Sequence, residues 1–238
     1  MTPFTKFTAT ALIFLASTVA FADTIQLGSY ATGAPSMGNA NSALNFAGFS
    51  AISSLPLAGT GSTFTLSPGT TWGAAAANTT WVGAAPTAGP LGTNPALGYY
   101  TFNTNFTTLS AGVYSGVLSL MADDTAEVLL NGNVLVPFGT LGSDGHCAQS
   151  GPSCTVFDNV TLNGLSLRSG TNANTLTFVV QQAGNFNANG LDPSGVDFTA
   201  ILTGSNVPEP GTMSLMLTGL GLLSGALLMR RRAAVRIA

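Results

Sequence analysis

Between Asp23 and Asn206 stretches of period-two apolar alternation recur among turn residues, and none settles into a sustained 3.6-residue period. That is the pattern of strands with one face in a core, not of amphipathic helices. Tyr100, Phe102, Thr104 and Phe106 fall on one side of such a strand, and Thr101, Asn103, Asn105 and Thr107 on the other. A turn at Ser110-Ala111-Gly112 leads into a second strand over residues 113–121. Val128-Leu129-Leu130, Asn131-Gly132 and Asn133-Val134-Leu135-Val136 read as a hairpin, because Asn-Gly accepts the positive φ angles of a tight turn. Later strands over residues 175–181 and 196–202 place Leu176, Phe178 and Val180 in one core row and Val196, Phe198, Ala200 and Leu202 in another. Weaker strand patterns cover residues 44–52, 62–66 and 155–162. So many short strands in one stretch of chain predict an all-β fold, an antiparallel, jelly-roll-like β-sandwich over residues 23–206.

Residues 66–98 break this pattern, being rich in Gly, Ala, Pro and Thr around Trp72, Trp81 and Val82. Two readings stay open for them, a long surface loop or an irregular edge hairpin. A loop of that length in a compact domain is more often functional than a core element.

The charge distribution narrows function. Only 6% of the residues are charged, against roughly 25% in an ordinary soluble domain. Five of the six basic residues, Lys6, Arg230, Arg231, Arg232 and Arg236, lie near the two ends, and Arg168 is the only one between. A body so poor in cations cannot neutralise phosphates, which argues against nucleic-acid binding and against adhesion to anionic membranes.

Both ends carry export features. Lys6 precedes an apolar run over residues 9–21 that closes at Ala20-Phe21-Ala22. Small residues at Ala20 and Ala22 suit signal peptidase, which predicts a signal peptide over residues 1–22; a buried N-terminal helix is the alternative. An exported chain meets an oxidising environment, so Cys147 and Cys154, its only cysteines, are expected to pair. His146 beside Cys147 invites a thiol-nucleophile reading, but no other His exists to act as base. At the other end, residues 210–229 are uncharged and precede Arg230-Arg231-Arg232. As a helix this stretch rises about 30 Å, enough for one membrane crossing with the arginines held on the cytoplasmic side.

Val207-Pro208-Glu209-Pro210 stands just before that apolar stretch. The order Pro-Glu-Pro, apolar helix, arginine cluster resembles the PEP-CTERM sorting signal recognised by exosortases, over residues 207–232. Two prolines hold the backbone extended and deny it helix hydrogen bonds, a conformation that protease-like enzymes accept. The resemblance implies a tail, residues 207–238, whose helix anchors the protein transiently in the inner membrane. The tail is then cut or exchanged on delivery to the cell surface, or to the exopolysaccharide matrix of a biofilm, of a Gram-negative bacterium. A permanent C-terminal anchor is the alternative, and the six residues after Arg232 depart slightly from the tightest form of the pattern.

Within the body, residues 121–133 run Met-Ala-Asp-Asp-Thr-Ala-Glu-Val-Leu-Leu-Asn-Gly-Asn. They resemble the Ala-Asp-Asp, strand, Asn-Gly pattern of galactose-binding-like jelly rolls, modules found beside many sugar-active enzymes. The resemblance places Asp123 and Asp124 at the start of a strand and Asn131-Gly132 at its hairpin turn.

Catalytic machinery is scarce. The body holds one His, no Lys, no Gly-x-Ser-x-Gly and no His-Glu-x-x-His. A glycoside hydrolase needs only two carboxylates, and Asp123, Asp124, Glu127, Asp144, Asp158, Asp192 and Asp197 supply them without any spacing that singles out a pair. Calcium needs only hard oxygen ligands, for which Asp123, Asp124 and Glu127, with Asp192, are candidates; the alternative is that these acids bond turn backbones or face solvent. Trp72 and Trp81, or Tyr99 and Tyr100, are candidates for a sugar platform, against the alternative that they are core residues. The expectation is a non-enzymatic, exported structural or exopolysaccharide-associated protein. A specific carbohydrate-binding module is the second reading and a carboxylate-dependent glycoside hydrolase the third.

Overall fold

A computed structural model describes residues 23–29, 36–51, 61–142, 147–184, 192–205, 218–219 and 221–222. The expected signal peptide with Ala20 and Ala22, the motif Val207-Pro208-Glu209-Pro210, and Arg230, Arg231 and Arg232 lie outside them, as do Asp144 and His146. Thr218, Gly219, Gly221 and Leu222 are helical. Among the described residues no helix is long and apolar enough to cross a membrane.

Among the described residues thirteen strands follow in chain order: β1 (Thr24–Gly28), β2 (Ala40–Ser50), β3 (Gly61–Leu66), β4 (Trp81–Gly83), β5 (Gly98–Thr108), β6 (Gly112–Asp123), β7 (Thr125–Leu130), β8 (Asn133–Val136), β9 (Thr140–Leu141), β10 (Ala148–Ser150), β11 (Asp158–Leu167), β12 (Gly170–Gln182) and β13 (Gly195–Gly204). Eleven form one antiparallel sheet in the order β11-β6-β13-β4-β3-β2-β5-β12-β7-β8, with β1 beside β13, and β9 and β10 make a separate pair. The long sheet folds on itself into the expected sandwich. One layer is β11, β6, β13 and β1, and the other is β2, β5, β12, β7 and β8. The short strands β4 and β3 turn the corner, since β4 touches β13 only at Val196↔Val82.

The alternation read from sequence sets the interior. Tyr100, Phe102 and Phe106 of β5 and Leu176, Phe178 and Val180 of β12 enter it from one layer, while Val196, Phe198, Ala200 and Leu202 of β13 enter from the other. Phe178 and Phe198 meet across the layers with ring centroids 4.4 Å apart. The β7–β8 hairpin turns at Asn131 (φ 51°) and Gly132 (φ 85°), as the Asn-Gly pair requires. The patterns over residues 44–52 and 155–162 overlap strands with other bounds: β2 runs Ala40–Ser50, with Ile52 outside the described residues, and β11 runs Asp158–Leu167 past an irregularity between Leu162 and Leu165.

The stretch 66–98 is not an edge hairpin, and the irregular segments 67–80 and 84–97 on either side of its one internal strand mix exposed with buried residues. Its strand β4 is the corner of the sandwich, and around it Leu66, Trp72, Trp81 and Ala88 join Met121 and Cys154 in a second, smaller apolar cluster. The Trp and Met side chains supply the area that periodic strands would otherwise give.

Candidate functional site

The second apolar cluster ends in acid. β6 delivers Met121, Ala122 and Asp123 in alternation, with Ala122 in the main core and Met121 in the smaller cluster. Asp123 and Asp124, joined by a cis peptide bond, follow at the β6–β7 boundary, and both are fully buried. The indole N–H of Trp72 donates to Asp123 Oδ2. Trp72 in turn stacks on Trp81 with ring centroids 4.2 Å apart and planes inclined by 25°. Trp81 donates its own indole N–H to the carbonyl of Gly73, 2.9 Å away. Asp124 Oδ2 accepts the backbone N–H of Ala183 at 2.6 Å, and Asp192, also buried, accepts the amide of Gln182 on its carbonyl at 2.9 Å.

Burial holds the Asp123 carboxyl well above its usual range, and the neighbouring charge of Asp124 adds to the shift. A hydrogen bond shared with Asp124 and the charge of Asp192 push the same way, while the Trp72 N–H opposes them. Desolvation disfavours an ionised carboxylate, and a second carboxylate beside it disfavours it further. Arg168, the one Lys or Arg among the described residues, sits before β12 and accepts hydrogen bonds on its carbonyl from Thr108 and Asn174. The acids adjoin Gln181 and Ala183 at the far end of that strand, where Asp124 N–H donates to the Gln181 carbonyl.

The remaining buried acid, Asp197 on β13, is held differently. Its Oδ1 accepts the Ser29 hydroxyl at 2.7 Å and its Oδ2 the Ala76 N–H at 3.0 Å. Burial raises its pKa, and these hydrogen bonds with that of Thr79 pull it back. Ser29 also offers its carbonyl to Asn41, whose amide further bonds Thr65 and Thr80 hydroxyls at 3.2 and 3.1 Å. This network fixes the ends of β1, β2 and β3 to the irregular segment before β4.

The structure redistributes the residues singled out from sequence. Cys147 and Cys154 form a disulfide with Cα atoms 5.3 Å apart. It packs beside the acids, since Asp123 and the two sulfurs lie within 4.8 Å of one another. Those sulfurs are bonded to each other and offer no thiolate to a metal. Glu127 is not brought into the group: it lies on β7 between Ala126 and Val128, both in the core, and therefore points to the opposite face. Asp123 and Asp124 are adjacent and the charge of Asp192 reaches Asp123, but among the described residues the three side chains close enough to share a metal ion are Asp123 and the two bonded cysteines. The platform expected of Trp72 and Trp81 is corrected. They are 5% and 0% exposed and face each other and Asp123, because the segment around them folds over the outer end of β6 and β13. Tyr99 is half-buried against Phe138 at 5.7 Å, and Tyr100 lies in the core with its hydroxyl bonded to the Ala96 carbonyl at 2.8 Å.

Sequence reasoning missed a cavity of about 260 Å³ between the segment after β4 and strands β2 and β5, lined by Phe46, Tyr100, Pro95 and Ser194 among others. The only signal for it was the presence of small residues, Ala84, Ala85 and Ala88, in the segment after β4.

Among solved structures, the chain is similar to the crystal structure of Podospora anserina GH26-CBM35 β-(1,4)-mannanase, at 12% identity and a TM-score of 0.35 over 79% of this chain. The match spans 29% of the mannanase chain, less than a third of its length. It is also similar to a family 35 carbohydrate binding module from Clostridium thermocellum, at 17% identity and a TM-score of 0.30, over 58% of this chain and 86% of that one. No curated protein matches the chain. Residues 206–232 match the family model of the PEP-CTERM protein-sorting motif, so the Pro-Glu-Pro stretch, the apolar run and the arginine cluster together are a sorting signal of that kind.

Proposed function

We propose that the protein is exported with removal of residues 1–22, held briefly in the inner membrane of a Gram-negative bacterium by its 207–238 tail, and processed by an exosortase. Its β-sandwich then serves at the cell surface or in the matrix as a non-catalytic structural or exopolysaccharide-associated component. The observation that carries this reading is the sorting motif at residues 206–232. The scarcity of charge supports the second half, because a polar but nearly uncharged surface suits hydrated neutral polymers.

A specific observation also favours glycan association. Asn45, Asn103 and Thr177 stand in one register row across β2, β5 and β12, and Asn105 faces Thr175 in the next row. Amides and hydroxyls in such rows bond sugar hydroxyls without charge. A glycoside hydrolase has less support, because Asp123, Asp124, Asp192 and Asp197 are all buried and none lines the cavity beside Tyr100.

The test is fractionation of the full chain in an exosortase-bearing host, beside a variant with Pro208, Glu209 and Pro210 changed to Ala. The wild type should appear outside the inner membrane with a new N-terminus at Asp23 and a shortened or exchanged tail. The variant should stay in the inner membrane at greater mass, and identical distribution of the two would remove the sorting reading. Cosedimentation of the processed protein with neutral polysaccharide tests the glycan half.

A further inference from the structure

We infer that the cavity beside Tyr100 is a binding site for a single neutral pyranose ring. The inference rests on the glycan-association reading and gives it a place and a chemical class. At about 260 Å³ the cavity falls just short of the roughly 300–1,000 Å³ of drug-sized sites, so it takes one ring and not a chain of them.

Its walls match the two faces of such a ring. Phe46 and Tyr100, with centroids 6.3 Å apart and planes 34° apart, form an aromatic side with Pro95 and the Ala84-Ala85 pair. A surface of that kind covers the C–H face of a pyranose. Hydroxyls stand at the rim and at one wall. Thr87 and Thr93 are exposed and bond each other at 2.9 Å. Ser194 is buried, and its Oγ reaches the Asp123 carbonyl only at 3.4 Å. A bond that long is weak, so turning this hydroxyl towards a ligand costs little.

The site is pre-formed. Thr93 N–H donates to the Thr87 carbonyl at 2.7 Å, Ser194 N–H to Ala88 at 2.9 Å, and the Tyr100 hydroxyl to Ala96 at 2.8 Å. These bonds tie the 84–96 segment to itself, to β5 and to the residue before β13, so little ordering entropy is lost on binding. Charge selects the class of sugar. Among the described residues no ionisable group other than the Tyr100 phenol lines the cavity. A uronic acid would bring its carboxylate against a largely apolar lining that holds no Lys or Arg to pair it.

The full chain is titrated, by ligand-observed NMR and calorimetry, with methyl β-glucopyranoside, methyl α-mannopyranoside, methyl β-galactopyranoside and methyl β-glucuronide. At least one neutral glycoside should bind, with the glucuronide at least tenfold weaker. Thr93→Phe, which fills the cavity from its exposed rim, should weaken binding at least tenfold with an unchanged melting temperature; Thr87→Phe serves if Thr93→Phe alters folding. Absence of binding by all three neutral glycosides, equal binding of the glucuronide, or full affinity in the filled variant overturns the proposal. Polysaccharide cosedimentation is read in parallel. If it persists while the glycosides fail, the cavity is not the site and glycan association stands; if both fail, both readings fall.

Discussion

The indole of Trp72 is shared between two partners, its ring stacked on Trp81 at 4.2 Å and its N–H donated to the buried carboxyl of Asp123. A tryptophan used this way holds the irregular segment before β4 against the sandwich. It offers no face to a ligand. Trp72→Phe keeps most of the apolar area but leaves a buried acceptor without its donor, which costs about 1–3 kcal/mol. Trp72→Ala adds a cavity and should cost about 3–5 kcal/mol. Urea unfolding measures both. Polysaccharide and glycoside binding should be unchanged in Trp72→Phe at temperatures where it is folded, and selective loss of binding at full stability would restore the platform reading.

Stability should fall as pH rises, and Asp197 gives the sign. Its folded pKa is raised above 3.8, the usual value, mainly by burial. Such a group contributes stability that is fully present below the unfolded value and is lost as pH rises through the folded one. The raised Asp123 acts in the same direction. Calorimetry in chelator from pH 4 to pH 8 should therefore show a falling midpoint, and Asp197→Asn should flatten part of the slope. A variant with the wild-type slope would show that Asp197 titrates alike in the folded and unfolded chain.

How far the sequence carried the structure depended on period. Strands β5, β12 and β13 were legible because Phe102, Phe178 and Phe198 each sit in an alternating row whose other apolar members are also buried. The Asn131-Gly132 turn was legible from backbone chemistry alone. Residues 66–98 were not, since their burial comes from contacts with Met121 and Cys154, far away in sequence, and leaves no local period. The same cause hid Trp72 and Trp81. For the acids, adjacency revealed Asp123 and Asp124, but Asp192 joins them through the fold, and Glu127, though near in sequence, is turned away by the alternation of β7.

The disulfide closes a loop beside this cluster and should stabilise it out of proportion to its size in the fold. Cys154 is fully buried, its carbonyl accepts Gly73 N–H at 2.8 Å, and its neighbour Ser153 accepts Ala122 N–H at 3.0 Å. Loop-closure entropy for so short a segment is about 2.5 kcal/mol. At roughly 2–4 °C per kcal/mol for a domain of this size, Cys147→Ser with Cys154→Ser should melt about 5–10 °C lower. Near-ultraviolet circular dichroism should lose the signal of the Trp72–Trp81 stack first. An unchanged melting temperature would mean that the apolar cluster holds the segment without the crosslink.

Calcium is the last prediction, and it opposes the pH trend. Asp123 and Asp124 are buried neighbours that the charge of Asp192 reaches, and protonation of Asp123 is one way to relieve that repulsion while a hard divalent cation is another. Sites of the extracellular kind bind with Kd of about 10⁻⁴–10⁻³ M, so 5 mM Ca²⁺ should add roughly 1–2 kcal/mol, or some 2–8 °C in melting temperature. Because the cation needs ionised carboxylates, the gain should be larger at pH 8 than at pH 5. Asp124→Asn should remove most of it, whereas Glu127→Gln should not, since Glu127 points away from the group. If 5 mM Ca²⁺ and chelator give the same transition at pH 8, calcium has no part in holding this region.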